Sequence, residues 1–215
     1  VVGDIPDTPG VHGIAVAPEL NRGFVSNGRG NNVTIFDLKT LKAIGTAATG
    51  ENPDSIRYDA VSGRVFAFNG RSKNATAIEA KTGAVAATIA LPGKPEFSVA
   101  DGKGKVYVNI EDTSEMVEID AAKATVTKSF SLAPCQEPSG LAIDAKNRRL
   151  FSVCSNRVMA IADPDAGKVL GTVPIGAGSD GVAFDAGLGL AFSSNGDGTV
   201  TVVQQAGGKY EVCLL

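Results

Sequence analysis

Five polar residues, His12, Asp54, Glu96, Ser139 and Asp180, follow one another at steps of 42, 42, 43 and 41 residues. Three carboxylates, the only histidine of the chain and one hydroxyl at a common register could do two kinds of chemistry. Clustered carboxylates suit a hard cation such as Ca²⁺, which takes about 6–8 oxygen ligands. Asp54, Glu96 and Asp180 are the candidate metal ligands, and an ion they held could polarise an ester or lactone carbonyl. His12 is the candidate general base, with Asp54 or Asp180 to orient its ring. The candidate catalytic set is therefore His12, Asp54, Glu96 and Asp180. A zinc site of three histidines is excluded by the single His. Ser139 lies between Pro138 and Gly140, which is no nucleophile elbow, so it is counted as a ligand-binding residue. Polar, solvated strand starts would look the same in sequence, and that plainer reading stays open beside the chemical one.

A second polar group follows at a fixed distance. Asn27 and Arg29, Asn69 and Arg71, and Asn195 fall in loops that should open on the same side as the first group. Arg29 and Arg71 occupy matching positions, where a guanidinium can grip a carboxylate or phosphate through two hydrogen bonds. Turn arginines in water are the alternative. Gly28-x-Gly30 has neither the third glycine nor the following helix of a dinucleotide site.

These residues need elements to hold them, and the repeat supplies the elements. Its period of about 42 residues lies in the range of propeller blades. In the first repeat Gly13–Val16, Gly23–Ser26, Val33–Asp37 and Lys42–Thr46 read as four short strands. The turns between them carry Pro18, Asn21, Asn27-Gly28 and Gly30, residues that end strands or accept positive φ. The order returns in the later repeats, for example Leu150–Val153 followed by Val158–Ile161. No useful helical apolar period occurs. Four strands per repeat predict an all-β protein, a single propeller of five four-stranded blades. The blades are expected at about 12–53, 54–95, 96–138, 139–179 and 180–215. The last is completed by residues 1–6, because Val1–Pro6 resembles the fourth strand Val169–Pro174. That pairing would close the ring and remove exposed strand edges. Lys209–Leu215 competes for the same slot, as it would in a fragment of a longer propeller. Closing the ring would bring one residue of the first polar group from each blade to the mouth of the channel.

The blade pattern of apolar-Ala-apolar, a Pro or Asp turn, a basic residue, an aromatic strand, Asn-Gly and a Thr-Val-Ile-Asp strand resembles the YVTN-type bacterial β-propeller repeat. The resemblance covers essentially the whole chain. It implies an extracytoplasmic protein, often of seven blades, and names no reaction. Cys135 falls in the loop before the first strand of the fourth repeat and Cys154 ends its second strand. An equivalent Cys…Cys arrangement occurs in that family, and a Cys135–Cys154 disulfide is expected. It would match an oxidising compartment, periplasmic or secreted. Cys213 is left over.

Bulk properties narrow the partners. A net charge of −3 gives no reason to expect nucleic acid, and no apolar run is long enough to span a bilayer. The start Val1-Val2-Gly3 carries neither an initiator Met nor a signal peptide, so it gives no compartment. Asn32-Val33-Thr34 and Asn74-Ala75-Thr76 are glycosylation triplets only in a eukaryotic secretory setting. Two functions remain. One is a binding or scaffold propeller that offers a polar mouth to a small molecule or protein. The other is a metal-assisted hydrolase of lactonase or esterase type.

Overall fold

A computed structural model describes residues 3–206 and 209–213. Its strands form five four-stranded antiparallel sheets in chain order. The first holds β1 (Val11–Ala17), β2 (Arg22–Asn27), β3 (Asn32–Asp37) and β4 (Ala43–Ala48). The second holds β5 (Pro53–Asp59), β6 (Arg64–Asn69), β7 (Asn74–Glu79) and β8 (Val85–Ala90). The third holds β9 (Pro95–Ala100), β10 (Lys105–Ile110), β11 (Glu115–Asp120) and β12 (Thr125–Ser131). The fourth holds β13 (Pro138–Asp144), β14 (Arg149–Cys154), β15 (Val158–Asp163) and β16 (Lys168–Pro174). The fifth holds β17 (Ser179–Asp185), β18 (Leu190–Asn195), β19 (Val200–Ala206) and β20 (Lys209–Val212).

One expectation is corrected. The fourth strand of the fifth sheet is β20, not the N-terminal segment: β19 pairs with it from Val203↔Val212 to Ala206↔Lys209, and residues 3–8 carry no strand. Val1 and Val2 lie outside the described residues. The outcome follows from chain entropy, since β20 follows β19 through a short connection and closing a short loop costs less than closing a long one.

Contacts divide the chain into two compact units. One is the chain up to Pro95 with Gly102–Val106 and Ile119–Val126; the other is Glu96–Asp101, Tyr107–Glu118 and everything from Thr127. Within each unit, consecutive sheets bury each other. Ala15, Phe24, Val33 and Ile35 of the first sheet meet Ile56, Val65, Ala67 and Ile78 of the second. In the other unit Val99, Tyr107 and Met116 of the third sheet meet Leu141, Leu150 and Ala160 of the fourth. The opposite face of the fourth sheet, with Phe151, Met159 and Ile161, then meets Ala191 and Val203 of the fifth, and Phe184 stacks on Phe151 at 5.3 Å. The repeated basic residue ties sheets together by their backbones. Arg22 donates to Ala80 O at 3.2 Å, and Arg64 donates to Ala121 O and Ala122 O at 3.2 and 2.7 Å.

The first strands approach one another so closely that one residue type fits. A Cβ on Gly140 would lie 2.5 Å from Asp180 O, and one on Gly13 would lie 3.0 Å from Asp54 O. Gly140→Ala is therefore expected to destabilise by about 1–3 kcal/mol. Gly45→Ala, where a Cβ meets nothing within 4 Å, should change stability by less than about 1 kcal/mol in either direction. Urea denaturation of both variants measures the difference.

Candidate functional site

The first strands are not regular at the candidate positions. Register shifts fall between Val11 and Ile14, Pro53 and Ile56, Pro138 and Leu141, and Ser179 and Gly181. His12, Asp54, Ser139 and Asp180 each sit in one of these β-bulges. A bulge inserts a residue, bends the strand and re-aims a side chain. Inside the first unit this brings two candidates together: His12 Nδ1 lies 3.2 Å from Asp54 Oδ1, with the side chains 50% and 36% exposed. A carboxylate on Nδ1 selects the tautomer whose Nε2 accepts a proton, the arrangement a general base requires.

The other unit uses its bulge residues differently. Ser139 Oγ donates to Ser179 O at 3.2 Å and to Asp180 O at 3.5 Å, so the hydroxyl is spent on backbone. Asp180 is exposed, and Glu96 on β9 is half-buried. Among the described residues no three His, Cys, Asp or Glu side chains form a group able to hold a metal ion.

Asn27, Asn69 and Asn195, expected to meet a ligand, are buried inside their sheets. Asn27 Nδ2 donates to Asn32 Oδ1 at 2.7 Å and to Thr34 Oγ1 at 2.8 Å. Asn69 repeats this on Asn74 and Thr76, and Asn195 on Thr199 and Thr201. The signal was present in the sequence: an Asn followed by Asn or Thr and then Thr recurs in three repeats, and residues on which repeats agree build the fold. Arg29 and Arg71 are instead exposed in the β2–β3 and β6–β7 turns.

In four of the sheets the turn between the second and third strands is tied to the loop that precedes the first strand. Gly28 N donates to Gly10 O, Gly70 N to Asn52 O, Ser155 N to Gln136 O and Gly196 N to Gly178 O, all at 2.8–2.9 Å. In the fourth sheet the expected Cys135–Cys154 disulfide adds to this brace, with Cα atoms 5.5 Å apart. Asn156 reinforces it, accepting from Gln136 N at 3.1 Å and donating to Pro134 O at 2.9 Å. Cys213 is free.

Two arrangements were not legible in the sequence. Arg148 holds Asp101 at 2.7 Å, Tyr107 Oη at 2.9 Å and both carboxylate oxygens of Asp165 at 2.8 and 3.1 Å. Its guanidinium is pushed further toward the charged form, first by Asp165, while burial drives the Tyr107 phenol upward. Asp101 and Tyr107 are buried, so this network joins the third and fourth sheets. The second is a cleft of about 280 Å³ between the fourth and fifth sheets, lined by Arg149, Ile161, Thr172, Gln205 and Tyr210 among others. At its wall Arg149 donates to Arg148 O at 2.7 Å and meets Asp163 of its own sheet at 3.3 Å.

No protein-family profile and no curated protein matches the chain. Solved structures do. A chain described as Kuenenia stuttgartiensis hydrazine synthase superposes with a TM-score of 0.81 at 18% identity, over 96% of this chain and 66% of that one. This is a β-propeller repeat fold. At such identity the likeness concerns architecture alone, and the chain spans about two thirds of the length of the propeller-like chain it matches.

The disulfide closes a loop over a sequence separation of 19 residues. Replacing both cysteines by serine should cost about 3 kcal/mol. The same propeller should bind no alkylating reagent at Cys135 or Cys154 until it is reduced, while Cys213 labels at once. Peptide mass mapping before and after reductant reads both outcomes.

Proposed function

We propose that the chain is an extracytoplasmic binding propeller whose five sheets are blades, and whose first-strand loops and second-to-third-strand turns form a rigid face for an anionic ligand. The observation that carries the reading is the brace on that face: the same loop-to-turn backbone bond in four repeats, reinforced by one disulfide. A platform held in one conformation loses little entropy on binding. The disulfide supports an oxidising compartment. Side chains not consumed by the brace, Arg29 and Arg71 with His12 nearby in sequence register, offer positive charge and hydrogen-bond donors. They suit a carboxylate or phosphate, on a small molecule or on an acidic protein segment. Titration with citrate, inorganic phosphate and a poly-glutamate peptide, followed by amide NMR, tests this. Shifts confined to the loops near Arg29 and Arg71, weakened at least tenfold in Arg29→Ala/Arg71→Ala, are expected. Equal binding by that variant would reject the site.

One observation favours a second reading. The His12–Asp54 contact gives half of an acid–base apparatus, so a lactone or ester hydrolase is the alternative. Hydrolysis of a panel of lactones and aryl esters should then fall at least a hundredfold in His12→Ala and Asp54→Asn. Turnover indifferent to both would rule it out.

A further inference from the structure

The fourth strands of the third and fourth sheets align end to end, Thr125–Ser131 with Lys168–Pro174. The backbone bonds that follow them agree, Leu132 N to Ser114 O and Ile175 N to Arg157 O. Lys128 and Gly171 therefore occupy one position. In the third sheet the side chain there spans to the fourth: Lys128 Nζ donates to Pro164 O and Asp165 O, both at 3.0 Å. In the fourth sheet the position has no side chain, and a Cβ on Gly171 would meet nothing within 4 Å. The cleft of about 280 Å³ between the fourth and fifth sheets has Gly171 in its wall. Both sheets belong to one compact unit, so the cleft is a feature of that unit alone.

Its lining is divided by chemistry. Ile161, Leu170 and Val173 give an apolar wall, and Leu170 is 44% exposed. Arg149 and Lys209 bring two cations, and among the described residues no carboxylate lines the cleft. Asp163 stands behind Arg149 at 3.3 Å and offsets part of its charge, which leaves room for about one negative charge rather than two. Arg149 uses Nη1 on Asp163 and Arg148 O; a guanidinium carries five N–H donors, so donors remain for a ligand. Tyr210 sets its ring edge-on to Phe151, with centroids 5.6 Å apart, and its hydroxyl oxygen is buried without a hydrogen-bond partner. Burial pushes this phenol upward, and the Arg149 guanidinium beside it works against the rise. An unpaired buried hydroxyl marks a place where an acceptor is wanting.

We propose that this cleft binds a small organic carboxylate with an apolar body, its carboxylate against Arg149 and Lys209 and its body against Leu170, Val173 and the Tyr210 ring. The volume lies at the lower end of the range for small-molecule pockets, which sets the size of the occupant. A single negative charge matches the cations left over after Asp163, and the apolar wall rejects a bare inorganic anion. The site is separate from the loops that carry Arg29 and Arg71.

Titration of the whole chain with phenylacetate, followed by amide NMR, provides the test. Phenylacetamide lacks the charge and acetate lacks the apolar body. Phenylacetate should shift amides of β16 and β20 saturably, and both other probes should bind at least tenfold more weakly. Lys209→Gln should weaken phenylacetate at least fivefold. Gly171→Leu fills the cleft without altering a charge and should abolish the shifts, with circular dichroism to confirm folding. Arg29→Ala/Arg71→Ala should bind phenylacetate as the unmodified chain does. Absence of saturable shifts in β16 and β20 overturns the proposal. So does phenylacetamide binding as tightly as phenylacetate, or unchanged phenylacetate binding in folded Gly171→Leu or in Lys209→Gln.

Discussion

The structure depends on sheets that are apolar on both faces. Each four-stranded unit carries a bulky face, such as Phe24, Val33 and Ile35, and a face of smaller or aliphatic residues, such as Ile56, Val65 and Ala67. Neither can stay in water at low cost, because burying one such side chain is worth about 1.5–3 kcal/mol. Stacking consecutive sheets is the solution a repeat offers, and a single repeat could not bury its own surface. The candidate site follows from this. Stacking brings the first strand of one sheet against the first strand of the next, which demands Gly13 and Gly140 and puts His12 beside Asp54. The His12–Asp54 contact is a by-product of how close the sheets must come.

Polar groups serve the same end by other means. A buried hydroxyl or amide must find a partner, and here it finds the backbone of a neighbouring loop. Ser26 Oγ, fully buried, accepts from Gly13 N at 2.9 Å and donates to Asp54 O at 2.5 Å. Asn109 does the equivalent on Ser139 O and Gly140 O and takes a further bond from Ser152. Turn aspartates complete the frame. Asp37, Asp144, Asp163 and Asp185 each accept from two backbone amides of the turn that follows. These aspartates and Asn109 are thus consumed in holding turns and strands.

Sequence reading succeeded where the signal is periodic. Strand order within the repeat and the Cys135–Cys154 pairing are local or repeated, and both appear in the structure. It failed where the deciding quantity was not in the pattern. The last slot of the fifth sheet, for which Val1–Pro6 and Lys209–Leu215 compete in the sequence, is taken by β20, the segment that adjoins β19 in the chain. Asn27, Asn69 and Asn195 were read by residue type, while their agreement across repeats marked them as braces. Arg148 could not be singled out, because its partners Asp101, Tyr107 and Asp165 are 47, 41 and 17 residues away.

The bulge explains how such a frame leaves room for function. It splits two adjacent residues into different duties. In β13 Gly140 faces the neighbouring backbone and tolerates no side chain, while Ser139, one position earlier, is half-buried and spends its hydroxyl on Ser179 O and Asp180 O. In β1 the same division separates Gly13 from His12. The position before the close approach therefore carries little packing cost, and its identity can change from His to Asp to Ser without disturbing the stack.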